Sequence, residues 1–315
     1  MDNIKNSIDK LIENLIDFPS NHTLDIVFEG GLFNGSYLIG ALYYLKQLEE
    51  KKYIKINRIS GCSIGALISL IYYTENYSLP DIIYKITYRH FKKKLNVNIF
   101  TEIFDKIRPS LTNDVMRKIN GKFFITYYNV KQNKQIVKNT YKDADELFEI
   151  IRRSCHCPYV VDNNFLYKDK YVDGFHPYIF KDDLTLTSRI LYLNIHNFDK
   201  LTHSISIKNE KTNYTRILCG ILDIHTFFMT NNSTSMCSYV NEWSIFEQMN
   251  SLAFIVILKM ITYLIHKIYL LNDVIQKSNK YNKSIKTSKK KYINEEPYHN
   301  FLHSLYVFIL KTYCI

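Results

Sequence analysis

The chain has 315 residues and a net charge of +11, and 46% of its residues are hydrophobic, enough for one large α/β domain with or without appendages. Seven of the positive charges are the lysines of residues 277–291, KSNKYNKSIKTSKKK. With no zinc-ligand spacing, no RNA-binding aromatic motif and no basic helix interleaved with aromatics, the charge excludes an ordinary nucleic-acid reader. The six cysteines form no Cys-x-x-Cys pair and the opening MDNIKNSIDK has no apolar leader, which predicts free thiols in a reducing, cytoplasmic compartment.

In chain order, Ile4, Ile8, Leu11, Ile12, Leu15 and Ile16 repeat at helical spacing and predict an amphipathic N-terminal helix within residues 1–21. LDIVF (24–28) predicts a short buried strand. EGGLFNG is a glycine-rich turn, and SYLIGALYYLKQLEE predicts a helix with Leu38, Leu42, Leu45 and Leu48 inward. Residues 54–60 predict a second strand, GCSIG a tight turn, and residues 65–74 an apolar helix. This βαβα order predicts a parallel sheet with right-handed crossovers and a site at the carboxyl ends of its strands.

Further on, residues 80–95 predict a helix, and 123–129 with 134–140 predict paired strands. Residues 143–155 predict a helix with an acidic start, which suits the helix dipole. Residues 165–174 predict a second hairpin and 189–196 a buried strand. Residues 252–271 are long and apolar enough to suggest a membrane span. Lys259, His266 and Lys267 share one side of that helix, so a helix packed on the core or lying in a membrane interface is expected instead. The terminal FLHSLYVFILKTYCI predicts a docked helix or strand.

Glycine marks the site. Six of the nine glycines (Gly30, Gly31, Gly35, Gly40, Gly61, Gly65) lie within 36 residues, in two strand-to-helix turns. Glycine weakens regular structure unless the backbone needs it, so this concentration signals special backbone geometry. The Gly61-Cys62-Ser63-Ile64-Gly65 turn can lift a serine hydroxyl to a helix N-terminus, where an adjacent base makes it a nucleophile. The N–H groups of Gly30, Gly31 and Leu32 can point at a developing oxyanion. The loop lacks the glycine and lysine spacing of a nucleotide-phosphate loop. Cys155-His156-Cys157 is too contiguous for all three residues to face one ion, and no metal is expected.

Three stretches, in order, resemble the landmarks of the patatin-like phospholipase family over about residues 22–200. They are DIVFEGGLFNGSYLIGALYYL, ISGCSIGALISLIYY, and RRSCHCPYVV followed by YKDKYVDGF. They match that family's glycine-rich oxyanion loop, its Gly-x-Ser-x-Gly elbow and its distal Asp-Gly motif. A Ser/Thr-x-x-x-Pro segment commonly precedes the last motif, and here it runs from Ser154 to Pro158. The resemblance implies a three-layer α/β/α fold with a central, mostly parallel sheet.

It also implies a Ser–Asp dyad without a catalytic histidine. Ser63 would be the nucleophile and Asp173 the base, with an oxyanion hole at Gly30, Gly31 and Leu32. Gly35, Gly61, Gly65 and Gly174 would be the motif glycines. No cofactor is implied. The chain departs from the family pattern at Leu32, where a third glycine usually stands, at Asn34, where a basic residue is common, and at Phe175, where glycine or alanine usually follows Asp-Gly.

The expected organisation is a catalytic domain over 22–205 and a helical C-terminal region over 206–315 with a Lys-rich linker at 277–291. That region would assist docking on an anionic membrane surface or cover the site. The expected function is hydrolysis of fatty-acyl esters in membrane or lipid-droplet lipids. An inactive lipid-binding or scaffolding homologue is the alternative, and a Ser-His-Asp esterase using His176 is a third reading.

Overall fold

The computed structural model describes residues 2–15, 22–181, 188–196, 206–207, 210, 212–285 and 304, with side chains of the last helix described as far as Leu271. Ile16 and the terminal 301–315 segment, apart from Ser304, lie outside the described residues. The elements are α1 (Asp2–Glu13), β1 (His22–Phe28), α2 (Gly35–Glu50), β2 (Ile54–Gly61) and α3 (Ile64–Thr74). They continue through α4 (Leu79–Lys94), α5 (Phe100–Ile107), α6 (Asn113–Ile119), β3 (Phe123–Asn129) and β4 (Lys134–Lys138). Last come α7 (Ala144–Ser154), β5 (Tyr171–Asp173), β6 (Arg189–Leu193), α8 (Tyr214–Thr230), β7 (Cys237–Tyr239) and α9 (Ile245–Ile285).

The sheet order is β4-β3-β2-β1-β6-β7. The four central strands are parallel. β4 and β7 add antiparallel edges. β1 is buried on both faces, as its unbroken apolar run requires. On one face Leu24, Ile26 and Phe28 meet the buried stripes of α1, α2, α3, α7 and α8. On the other, Val27, Ile190 and Tyr192 pack on Phe180 and Trp243, while Tyr128 and Val172 pack on Ile265 and Tyr269 of α9. The expected three-layer α/β architecture with a central, mostly parallel sheet is therefore the one observed.

α2 is the central helix of the first face, with almost every residue buried. It crosses α8 at backbone contact. A Cβ on Gly40 would run into the Ile217 carbonyl, and one on Gly220 into that of Tyr37. Gly40→Ala is therefore expected to cost about 1–3 kcal/mol by overpacking. Urea denaturation reads this as a lower midpoint at unchanged slope, and a wild-type midpoint would contradict the contact.

One expectation needs correction, and the structure adds detail to the C-terminal region. Residues 165–174 form a single bridge between Tyr167 and Tyr171 rather than a hairpin, because Lys168 and Asp169 turn the chain at positive φ and Tyr171–Asp173 pairs with β3 instead. The backbone of α9 continues through Ile285, so the first part of the expected 277–291 linker is helical. Within 206–315, α8 and β7 are built into the main helical layer and the sheet edge. Three-residue strands such as β5 and β7 are too short to show a period.

Candidate active site

Both glycine turns sit at the carboxyl ends of adjacent parallel strands, β1 and β2. The β2 chain leaves the sheet after Gly61 and turns sharply into α3. Ser63, at the apex, has φ 52° and ψ −127°, a strained conformation for a residue with a Cβ. Gly65 packs so tightly on the end of β1 that a Cβ there would strike the carbonyls of Phe28 and Glu29.

The departure of β2 explains how Asp173 reaches Ser63 across 110 positions of sequence. Gly61 is the last β2 residue to pair with β3, opposite Ile125. β4 occupies the other edge of β3. β5 therefore takes the edge that β2 vacates, and places Asp173 opposite Tyr127. That is the position residue 63 would hold had β2 run straight. The carboxyl of Asp173 faces the Ser63 hydroxyl and accepts the Phe175 N–H at 2.8 Å. Its backbone N–H donates to the His156 carbonyl at 2.8 Å. Burial raises the Asp173 pKa from 3.8 to about 6, against the lowering effect of the Ser63 and Phe175 bonds, and Glu29 nearby adds to the rise.

Ser154, at the end of α7, accepts the Ser63 N–H on its Oγ at 2.9 Å. The segment from Ser154 to His156 thus ties the elbow to the aspartate. Cys155 and His156 are buried in it, and burial pushes the Cys155 thiol well up and the His156 imidazole down. Among the described residues no three His, Cys, Asp or Glu side chains form a group that could hold a metal ion. Cys62, next to Ser63, is fully buried, and burial pushes its thiol well up as well, so it is not a competing nucleophile.

Gly31 has φ 152° and Leu32 φ 48°, so the loop bends through left-handed backbone at both. Phe175 is also left-handed, with φ 59°. Two of the three departures from the family pattern, Leu32 and Phe175, therefore occupy conformations that favour glycine. In Phe175 that conformation aims the N–H at Asp173. The Gly30 N–H faces the Cys62 thiol. Those of Gly31 and Leu32 have no acceptor among the described residues. Gly35 and Gly61 make close approaches to the elbow helix, and Gly174 to Thr126.

Two further groups carry no signal at the sequence level. Asn34 is fully buried and accepts from Arg216 Nη1 at 3.0 Å. A cation therefore does stand at the loop, supplied by α8 rather than by residue 34. Arg216 also pairs with Glu210 and donates to the Ser206 carbonyl. Glu29, fully buried just before the glycines, lies 3.2 Å from His176 Nδ1 and 3.9 Å from His196 Nε2. The His176 ring thus pairs with Glu29.

An apolar cavity of about 110 Å³ opens at Ser63. Its walls include Leu32, Ile64, Leu67, Ile71, Ile83 and Phe100, from the glycine loop and the helices α3 to α5. Such a space suits a hydrocarbon chain attached to a carbonyl at Ser63.

This geometry agrees with what residues 26–114 match, which is the family model described as patatin-like phospholipase. That segment spans the glycine loop and the elbow and ends before Asp173. Over this segment, less than a third of the chain, the protein is similar to that family. A similar solved structure is the crystal structure of VipD from Legionella pneumophila, at 12% identity and a TM-score of 0.29, covering 55% of this chain and 49% of that one. The chain thus corresponds to about half the length of that structure. No curated protein matches.

Proposed function

We propose that the chain is a lipid acyl hydrolase of the phospholipase A or acylglycerol lipase type, acting through Ser63 and Asp173. The observation that carries this reading is the buried Asp173 carboxyl facing the strained Ser63 hydroxyl at the mouth of an apolar cavity. As Ser63 Oγ attacks the acyl carbonyl, Asp173 takes its proton. The N–H groups of Gly31 and Leu32 receive the oxyanion, while Gly30, held against Cys62, shapes the loop. Collapse of the tetrahedral intermediate expels the alcohol, which takes the proton from Asp173 and leaves an acyl-Ser63 ester. Asp173 then deprotonates water, which attacks that ester; as the second intermediate collapses, Ser63 Oγ takes the proton back from Asp173 and the fatty acid is released.

The protein works in the cytoplasm, peripheral at membranes, and the lysines of 277–291 attract it to anionic lipid. The test is fatty-acid release from vesicles of phospholipid with triacylglycerol. The wild type is expected to release acid, Ser63→Ala to release none, and Asp173→Asn to release it at about 10⁻³ of the wild-type rate or less. Products from Ser63→Ala equal to those of wild type would overturn the reading.

The rival, a patatin-like lipid-binding protein without activity, rests on Leu32 and Phe175 standing at positive φ. Neither residue removes a reacting atom, and both keep their N–H groups. A Ser-His-Asp esterase would need His176 to reach Ser63, whereas its ring pairs with Glu29. His176→Ala is expected to keep hydrolysis within about tenfold of wild type, and a loss of three decades or more would restore the triad.

A further inference from the structure

We propose that α9 is an interfacial helix that seats the carboxyl edge of the sheet, and so the mouth of the site, on an anionic lipid leaflet. The inference builds on the lipid-hydrolase reading and names the surface through which that site meets its substrate.

α9 is docked along one narrow stripe. Glu247, Ser251, Phe254, Leu258, Thr262 and Ile265 recur at helical spacing and are buried or half-buried. The Phe254 ring lies tilted against His196, just beyond the end of β6, with ring centroids 5.5 Å apart. His266 Nδ1 lies 2.7 Å from the carbonyl of Val130, just beyond the end of β3. The helix advances about 18 Å between these two contacts. Three inter-strand spacings, from β6 across β1 and β2 to β3, come to about 14 Å. α9 therefore spans from the carboxyl end of β6 to that of β3, packed on the Tyr128 and Val172 side of the sheet.

The opposite side of α9 is apolar and open. Phe246, Met249, Leu252, Val256, Met260 and Leu264 are all exposed, Leu252 and Met260 each at 62%. At roughly 100° per residue, the exposed apolar positions between Ile245 and Leu271 cover about half the helix circumference. The two exposed charges in this stretch are Lys259 and Lys267, both positive; the one acid, Glu247, lies on the docked stripe.

A partner helix would cover a narrow seam and leave most of this half-cylinder wet. An interfacial helix buries its apolar face at the headgroup boundary; Lys259 stands at the margin of that face and Lys267 within it, where a flexible stem lets the ammonium reach the headgroups. Ile245–Leu271 is long and apolar enough to cross a bilayer. The docked stripe, with its Glu247, Ser251, Thr262 and His266, instead holds the helix against the sheet.

The experiment is flotation of the full chain with vesicles of phosphatidylcholine alone or mixed with phosphatidylserine. A Ser63→Ala background keeps the lipid unchanged. It is compared with the same chain carrying Leu252→Glu, Met260→Glu and Leu264→Glu, all at exposed positions. The parent is expected to float with the mixed vesicles, and the triple variant to lose on the order of tenfold or more in binding. Circular dichroism is expected to be unchanged, as is hydrolysis of a soluble short-chain ester by the triple variant with Ser63 restored.

Equal flotation of parent and variant would overturn the proposal. So would retention of the parent in the bilayer through alkaline carbonate, which marks a span, or a parent dimer that the variant dissolves without any change in flotation. Normal flotation with no esterase activity would count against the hydrolase reading alone, and normal esterase activity without flotation against the docking surface alone.

Discussion

Asp173→Asn is expected to lower acyl-ester hydrolysis by about 10³–10⁴ while leaving the protein folded. The amide keeps an oxygen for the Phe175 N–H and a polar group toward Ser63, so the local geometry survives. What it loses is basicity. In the wild type the base form of Asp173 is present above about pH 6. The rate constant kcat/KM is expected to fall about tenfold for each pH unit below that value and to level off above it.

The same substitution carries a stability signature of opposite sense. The folded-state pKa of Asp173 is raised from 3.8 to about 6, so between those values the unfolded chain binds fewer protons than the folded one. Wild-type stability therefore falls as pH rises through that window, by on the order of 3 kcal/mol, and stays lower above it. Asp173→Asn removes this loss. The variant is expected to melt at a higher temperature than wild type at pH 8, with the difference closing near pH 4. An inactive variant with no pH-dependent gain would mean that Asp173 is not held in a costly buried state.

Arg216→Met carries the second large effect, an expected loss of about 3 kcal/mol. Arg216 is 2% exposed and joins three elements: Asn34 in the glycine loop, Glu210, and the Ser206 carbonyl. Methionine fills much of the volume but satisfies none of these acceptors. Asn34 is then left fully buried without its cation, and Glu210 without its ion pair. Chemical denaturation measures the loss. Arg216→Lys should recover part of it, because a single ammonium replaces the charge but cannot reach three partners at once. If Arg216→Met stays within 0.5 kcal/mol of wild type (about the scatter of ordinary surface substitutions), the bridge is not structural.

The sequence was most legible where local chemistry and periodicity coincide. β1, the glycine turn, α2, β2, the elbow and α3 could all be read because apolar runs alternate with glycines that only special backbone requires. The Asp-Gly at 173–174 was visible only through the order of the motifs. Its structural cause, a strand edge vacated by the turn at Ser63, depends on the pairing of β5 with β3. Arg216 could not be assigned to the loop because its contact with Asn34 spans 182 residues and has no periodic trace. Ser154 was noted as part of a motif, but its bond to the Ser63 N–H is a property of how α7 ends. The long terminal helix was foreseen as amphipathic. Its docked stripe emerged only with the register of its contacts, since an apolar residue reads the same whether it faces a sheet or a lipid.

The most direct test of the dyad is intact-mass analysis after incubation with a serine-directed alkyl phosphonate. The account predicts one adduct on the wild type, mapped to Ser63, absent from Ser63→Ala and strongly slowed in Asp173→Asn. Folded wild-type protein that stays unlabelled at Ser63, or that is labelled equally fast in Asp173→Asn, would contradict it.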